Sequence, residues 1–153
     1  MSLIHEKLYQ TRNMTEICFR DYFGDFLDSI FTSFTARQVK IEKDVEDICV
    51  SAKTAMSLGL IINEVATNAV KHGFSGKDEA VFPVKLNKND ENNQYELILS
   101  NTGKPFPENV HLENSETLGL RLIGALVAQI DGTIKLQKAP HPVFIIKFPE
   151  AEE

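Results

Sequence analysis

Residues Asn63–His72 read NEVATNAVKH, preceded by LGLII at Leu58–Ile62. On a helix turning about 100° per residue, Leu58, Gly59, Ile62, Val65, Ala66 and Ala69 gather on one side. Glu64, Thr67, Asn68 and Lys71 gather on the other, with Asn63 and His72 at the margins. One face packs and the other is polar. A solvated helix face ordinarily draws on Lys, Glu and Gln, whereas Asn and Thr carry a propensity cost, so two asparagines inside the helix need a reason. An amide oxygen facing a hard cation supplies one, since Mg²⁺ prefers oxygen ligands and is completed by phosphates and water. Glu64 stands one turn before Asn68, where its carboxylate could orient or deprotonate a nucleophile beside the same ion.

The helix around this stretch is predicted from about Ala52 to His72, stopped by the turn-rich GFSGKDE of Gly73–Glu79. Upstream, Phe19, Tyr22, Phe23, Phe26, Leu27, Ile30, Phe31 and Phe34 recur at helical spacing and predict an amphipathic core helix over Phe19–Phe34. Such an aromatic stripe is packing rather than a ligand platform. Residues 3–12 read as a short helix ended by turn formers at Asn13–Thr15. Alternation in Gln38–Asp44 and a β-like run at Asp47–Ser51 predict two edge-type strands. Further strands are predicted at Ala80–Leu86, Tyr95–Ser100, Thr133–Leu136 and Val143–Phe148, with Lys88–Asn93 as a hairpin loop. A last helix runs from about Leu118 to Ile130 and ends at Asp131 and Gly132. Strands and helices interleave without regular βαβ alternation. The expected fold is therefore α+β, a two-layer sandwich with helices on one face of a mixed sheet.

The 153 residues suffice for one domain, and a hydrophobic share of 42% with 25% charged residues excludes disordered and membrane-spanning classes. Acidic residues outnumber basic ones 22 to 16, a net charge of −6, and no Lys/Arg stripe offsets it. Nucleic acid and anionic membrane surfaces are accordingly not expected partners. A few well-placed donors and one Mg²⁺ still suffice for a small polyanion. Cys18 and Cys49 lack CxxC or Cys/His spacing, so neither a zinc site nor a disulfide is expected, and reduced thiols in a cytoplasmic protein are the plain reading. No signal peptide or spanning stretch is visible. The opening IHEKLYQ reads as the end of a helix, as in a fragment of a longer protein.

Two more segments bear on chemistry. SNTGKPFP, Ser100–Pro107, leaves the strand YELILS directly. TLGLRLIGALVAQIDG, Thr117–Gly132, sets a glycine just inside a helix start, where backbone can approach closely and free N–H groups can meet phosphate oxygens. Alone, each is a weak signal. In this order and spacing the three segments resemble the ATP-binding domain of sensor histidine kinases, within the GHKL superfamily that also includes gyrase-type ATPases and MutL-type repair proteins. NEVATNAVKH is similar to the N box, NTGKPFP to the first glycine box (Asp-x-Gly-x-Gly, then Ile or Phe and Pro), and TLGLRL to the second. IHEKLYQ resembles the end of the dimerisation helix pair in kinases of the short-lid branch. The resemblance implies a Bergerat-type ATP-binding fold over residues 15–153, with residues 1–14 a remnant of the dimerisation helix.

It further implies that Glu64 is the catalytic N-box acid, Asn68 the Mg²⁺ ligand, and Lys71 and His72 contacts to phosphate or ribose. Asn101 falls where the family has the Asp that receives the adenine amino group. Gly103 would admit the base, Phe106 would wall the pocket, Gly119 with Leu120 would open the helix behind the phosphates, and residues between Pro107 and Thr117 would form the lid. The sequence departs from the pattern at Asn101, at Pro105 in place of the second glycine, and at His141 and Pro142 in place of a Gly-Thr pair. Asn keeps a carbonyl for the adenine amino group and an NH₂ for ring N1, so recognition survives without the charge, at reduced adenine selectivity.

The implied function is the catalytic domain of a two-component sensor histidine kinase, passing the γ-phosphate of Mg·ATP to a histidine outside this sequence. The implied partners are its own dimerisation and phosphoacceptor domain and a response regulator. The implied location is cytoplasmic, with a parent protein that membrane anchoring would suit equally well. His5 is expected to be an ordinary helix residue, because the acceptor belongs on the first helix of the pair. Two alternatives are an anti-sigma-type serine kinase and a degenerate, non-catalytic interaction module.

Overall fold

Apolar side chains at every second strand position line one face of a five-stranded sheet in a computed structural model that describes residues 16–34, 39–73, 80–89, 93–102 and 118–149. In chain order the elements are β1 (Glu16–Cys18), α1 (Phe19–Phe34), β2 (Val39–Val45), β3 (Cys49–Ser51) and α2 (Ala52–Asn68), which continues as a π-helical turn (Ala69–Gly73). Then come β4 (Ala80–Asn89), β5 (Gln94–Ser100), α3 (Leu118–Gln129), β6 (Thr133–Gln137) and β7 (Val143–Pro149). The sheet order is β2-β4-β5-β7-β6. β2 runs parallel to β4 and the other neighbours are antiparallel, so the sheet is mixed.

The register stacks apolar residues in rows across the sheet. Val45, Leu86, Leu97, Ile146 and Ile134 form one, and Val84, Leu99, Phe144 and Leu136 form the next. The helices supply the opposite wall with Leu27, Ile30 and Phe31 of α1, Leu58, Ile61, Ile62 and Val65 of α2, and Ile123, Leu126 and Val127 of α3. Phe31 meets Phe82 edge to face at 5.1 Å between ring centroids. A side chain of this size contributes about 1.5–3 kcal/mol when fully buried. The expected α+β sandwich is thus the observed one. Five of the six apolar residues assigned to the packing side of α2 are hydrophobics of this core, and Gly59 is buried with them.

Local signals set the helix ends. Ser51 caps α2, its hydroxyl accepting from the Thr54 N–H at 3.2 Å. Asp131, at φ 59°, ends α3, and the Gly132 and Asp131 N–H groups return to the carbonyls of Val127 and Ala128. β2 lies at the sheet edge as expected. The run at Asp47–Ser51 behaves differently: only Cys49–Ser51 is a strand, and it pairs with β1, an element not anticipated, in a separate antiparallel ribbon. The helix predicted over residues 3–12, the dimerisation remnant over 1–14 and the lid between Pro107 and Thr117 lie outside the described residues.

That ribbon corrects the reading of the cysteines. Cys18 and Cys49 face each other across it and are joined as a disulfide rather than standing as reduced thiols. Spacing along the chain, 31 residues, carried no hint of this, because the strand register creates the proximity. Asp47 lies close by, with its carboxylate and both sulfurs within 4.8 Å of one another, but a disulfide has no thiolate to offer a metal. The cross-link ties the start of α1 to the ribbon that leads into α2. Thiol titration of the unreduced, denatured chain is expected to find no free thiol and to find both after reduction. Reduction should lower the unfolding free energy by about 3 kcal/mol in a denaturant melt.

Candidate functional site

α2 and α3 pack side by side, and they approach closely where α3 begins. A Cβ placed on Gly119 would stand 3.0 Å from Glu64 Oε1, 3.7 Å from Asn68 Oδ1 and 3.8 Å from Asn68 Nδ2. Two polar side chains one turn apart on α2 therefore converge on the first turn of α3. A Cβ there would crowd the end of the Glu64 side chain, which would have to shift to admit it. Gly119 serves this side-chain approach in addition to any approach of backbone to a ligand.

The polar face of α2 divides into satisfied and unsatisfied groups. The Thr67 hydroxyl donates to the Asn63 carbonyl at 2.7 Å, a back-bond within the helix that explains a threonine there without a ligand. Asn68 differs. Its Nδ2 is buried and has no hydrogen-bond partner among the described residues. A buried donor left unmatched costs about 1–3 kcal/mol, so the position wants an acceptor that the described residues do not supply. Glu64 and Asn68 also present oxygens to one spot, the donor type that a hard cation takes. The set fits Mg²⁺ beside phosphate: oxygens for the ion and an NH₂ for a phosphate oxygen.

Beyond Asn68 the helix was expected to continue unchanged to His72, but it loosens into the π-helical turn. That turn alters the angular positions of Lys71 and His72 from those of an ideal α-helix, and such turns recur at functional sites. Lys71 is exposed there. The backbone of His72 belongs to the same turn. Leu120 is buried in the core, so whatever it offers a phosphate comes from its backbone N–H in the first turn of α3, where helix donors lack internal partners.

Asn101 follows the last residue of β5, flanked in the sheet by β4 and β7. It is only 4% exposed, and its N–H donates to the Pro142 carbonyl at 3.4 Å. Thr102, which had no assigned role, clasps the start of β4. Its N–H donates to the Val81 carbonyl at 3.2 Å, and its Oγ1 accepts from the Val81 N–H at 3.1 Å. Nothing in the pattern Asn-Thr-Gly signals that clasp, since it depends on which strand lies alongside. Gly103 and Phe106 lie outside the described residues. The structure thus brings Glu64, Asn68 and Gly119 together, and sets Asn101 at the exit of a central strand.

The family described as histidine kinase-, DNA gyrase B-, and HSP90-like ATPase matches residues 53–152. The chain belongs to this family. As a member of this ATPase family it is an ATP-binding domain. It is 25% identical over 100 residues to blue-light-activated histidine kinase 2 of Erythrobacter litoralis, covering 65% of this chain and 29% of that protein. It is 29% identical over 91 residues to the sensor histidine kinase PdtaS of Mycolicibacterium smegmatis, covering 58% and 18%. The chain spans less than a third of the length of these curated relatives. The solved histidine kinase domain of the Erythrobacter litoralis EL346 blue-light-activated kinase shares the fold, with a TM-score of 0.84 at 21% identity over 97% of this chain and 70% of that one.

The two glycines of α3 give this geometry a direct test. A Cβ on Gly124 meets nothing within 4 Å, whereas one on Gly119 meets Glu64. Gly124→Ala should stabilise the fold by up to about 1 kcal/mol through helix propensity. Gly119→Val should destabilise it by about 1–3 kcal/mol through overpacking. Urea melts compare them, and equal effects would contradict the close approach.

Proposed function

We propose that this ATPase-family chain is the catalytic, ATP-binding domain of a two-component sensor histidine kinase, delivering the γ-phosphate of Mg·ATP to a histidine outside this sequence. The observation that carries the reading is the convergence of Glu64 and Asn68 on Gly119, with the Asn68 NH₂ buried and lacking an acceptor among the described residues. In this reading Asn68 holds the metal through Oδ1 and a phosphate oxygen through Nδ2. Mg²⁺, when bound, supplies charge neutralisation for the triphosphate. The first-turn N–H groups of Gly119 and Leu120 face the phosphates with the positive end of the α3 dipole. Lys71 and His72 contribute contacts to phosphate or ribose, and Asn101 receives the base, with Gly103 and Phe106 beside it.

Transfer breaks the bond between the γ-phosphorus and the β,γ-bridging oxygen and forms a bond from the acceptor imidazole nitrogen to phosphorus. ADP leaves, and the imidazole proton passes to the Glu64 carboxylate. Positioning supplies most of the acceleration in such a step. The partners are the dimerisation and phosphoacceptor domain and a response regulator. The cytoplasmic location rests on the need for ATP and no longer on the cysteines, whose disulfide removes the reduced-thiol argument. No helix of the described residues is long and apolar enough to cross a membrane. The curated relatives are sensor histidine kinases, which favours a histidine acceptor over the serine of the anti-sigma-type alternative.

Calorimetry with ATP tests the reading. Binding is expected with Mg²⁺ and should weaken when the metal is chelated. Asn68→Ala should lower affinity at least tenfold, about 1.4 kcal/mol. Glu64→Ala should weaken binding less than Asn68→Ala does while abolishing phosphotransfer to a supplied acceptor domain. No heat at millimolar nucleotide would favour the non-catalytic module, and label from ATP retained on His5 would overturn the external acceptor.

A further inference from the structure

The ribbon of β1 and β3 has two unlike faces. Ile17, Phe19, Ile48 and Val50 are buried in the core. Alternation along the chain turns Cys18, Asp47 and Cys49 the other way, where the cysteines are half-buried and Asp47 is exposed. Cys18 stands opposite Cys49 in the register, and Asp47 precedes Cys49 by two residues. The Phe19 N–H donates to the Ile48 carbonyl at 3.0 Å, and the Ile48 N–H donates to that of Glu46 at 2.8 Å. Core anchors and backbone bonds therefore hold these three side chains together in addition to the cross-link.

Both sulfurs and a carboxylate oxygen of Asp47 lie within 4.8 Å of one another. A tetrahedral ion about 2.3 Å from each of two sulfurs spaces them roughly 3.8 Å apart, inside that limit. Two thiolates and a carboxylate suit Zn²⁺, with water in the fourth position. Sulfur ligands also select against Mg²⁺, which takes oxygen. In the oxidised chain the sulfurs are bonded to each other and offer no thiolate. A dithiol reductant of the thioredoxin class passes two electrons and two protons to the pair: the S–S bond breaks, two thiols form, and the reductant closes its own disulfide. Such reductants keep cysteines reduced in the cytoplasm, the location proposed above.

We propose that Cys18 and Cys49, once reduced, bind Zn²⁺ together with Asp47, and that the disulfide is the oxidised, metal-free state of the same site. Binding releases the two thiol protons to solvent and replaces one cross-link of the ribbon by another. The site is separate from the α2–α3 margin and does not depend on the nucleotide-binding reading.

The test uses the whole chain, reduced with a phosphine, which takes up the oxygen of a water molecule as the disulfide becomes two thiols, and then freed of reductant without air. Co²⁺ is the probe, because a thiolate bound to it gives a sulfur-to-metal charge-transfer band that imidazole and carboxylate ligands do not. The reduced chain should take up one Co²⁺ with that band, one equivalent of Zn²⁺ should displace it, and the oxidised chain should show no band. Asp47→Asn should weaken Zn²⁺ binding by about tenfold or more while both thiols remain titratable. Absence of the band at millimolar Co²⁺, one ion shared between two chains, or an unchanged affinity in Asp47→Asn would overturn the site. If reduction unfolds the chain, circular dichroism is the readout: Zn²⁺ should restore the fold, and failure to do so would overturn the site as well.

Discussion

The close approach of α3 to α2 at Gly119 is the constraint on which the rest of the site depends. Apolar packing by Ile62, Val65, Ile123 and Val127 draws the two helices together on the sheet, and this burial provides the driving force. At one end of the contact the facing groups become polar, and the missing side chain of Gly119 leaves room for the Glu64 carboxylate, with the Asn68 amide beside it. The core therefore holds two polar groups in place at its margin. Stability comes from the apolar residues, and chemistry from the few that interrupt them.

The same division appears at the sheet. β5 is central, its inward Leu97 and Leu99 are fully buried, and the chain leaves it through Asn101 and the Thr102 clasp. A polar residue at a strand end is ordinary, but one that is 4% exposed, bonded to Pro142 and followed by a residue clasped to β4, is a fixed wall. In the proposed reading the base meets this wall while the phosphates meet the α2–α3 margin. Preorganised groups of this kind avoid the entropy cost of arranging themselves around a ligand.

Much of this was legible in the sequence where a periodic pattern ran long enough. The aromatic stripe gave α1 its observed bounds, Phe19–Phe34, and the apolar face of α2 matched the buried residues of the helix. Three-residue strands carry no period, so β1 was not anticipated, and with it went the pairing of Cys18 and Cys49 across 31 residues. The π-helical turn was equally hidden, since nothing in AVKHG departs from an α-helical pattern. Within the site, Glu64, Asn68 and Gly119 were each flagged by residue type, but their convergence depends on how two helices pack. Thr102 was missed because its partner, Val81, lies 21 residues away on another strand.

The most direct measurement is the NMR spectrum of the isotope-labelled chain with ATP and the paramagnetic ion Mn²⁺ in place of Mg²⁺. A metal held at the α2–α3 margin should broaden the Asn68 side-chain NH₂ signal and the backbone amides of Gly119 and Leu120 first, leaving β6 and the Cys18–Cys49 ribbon sharp. Broadening centred on that ribbon, or spread evenly over the acidic surface, would contradict the account.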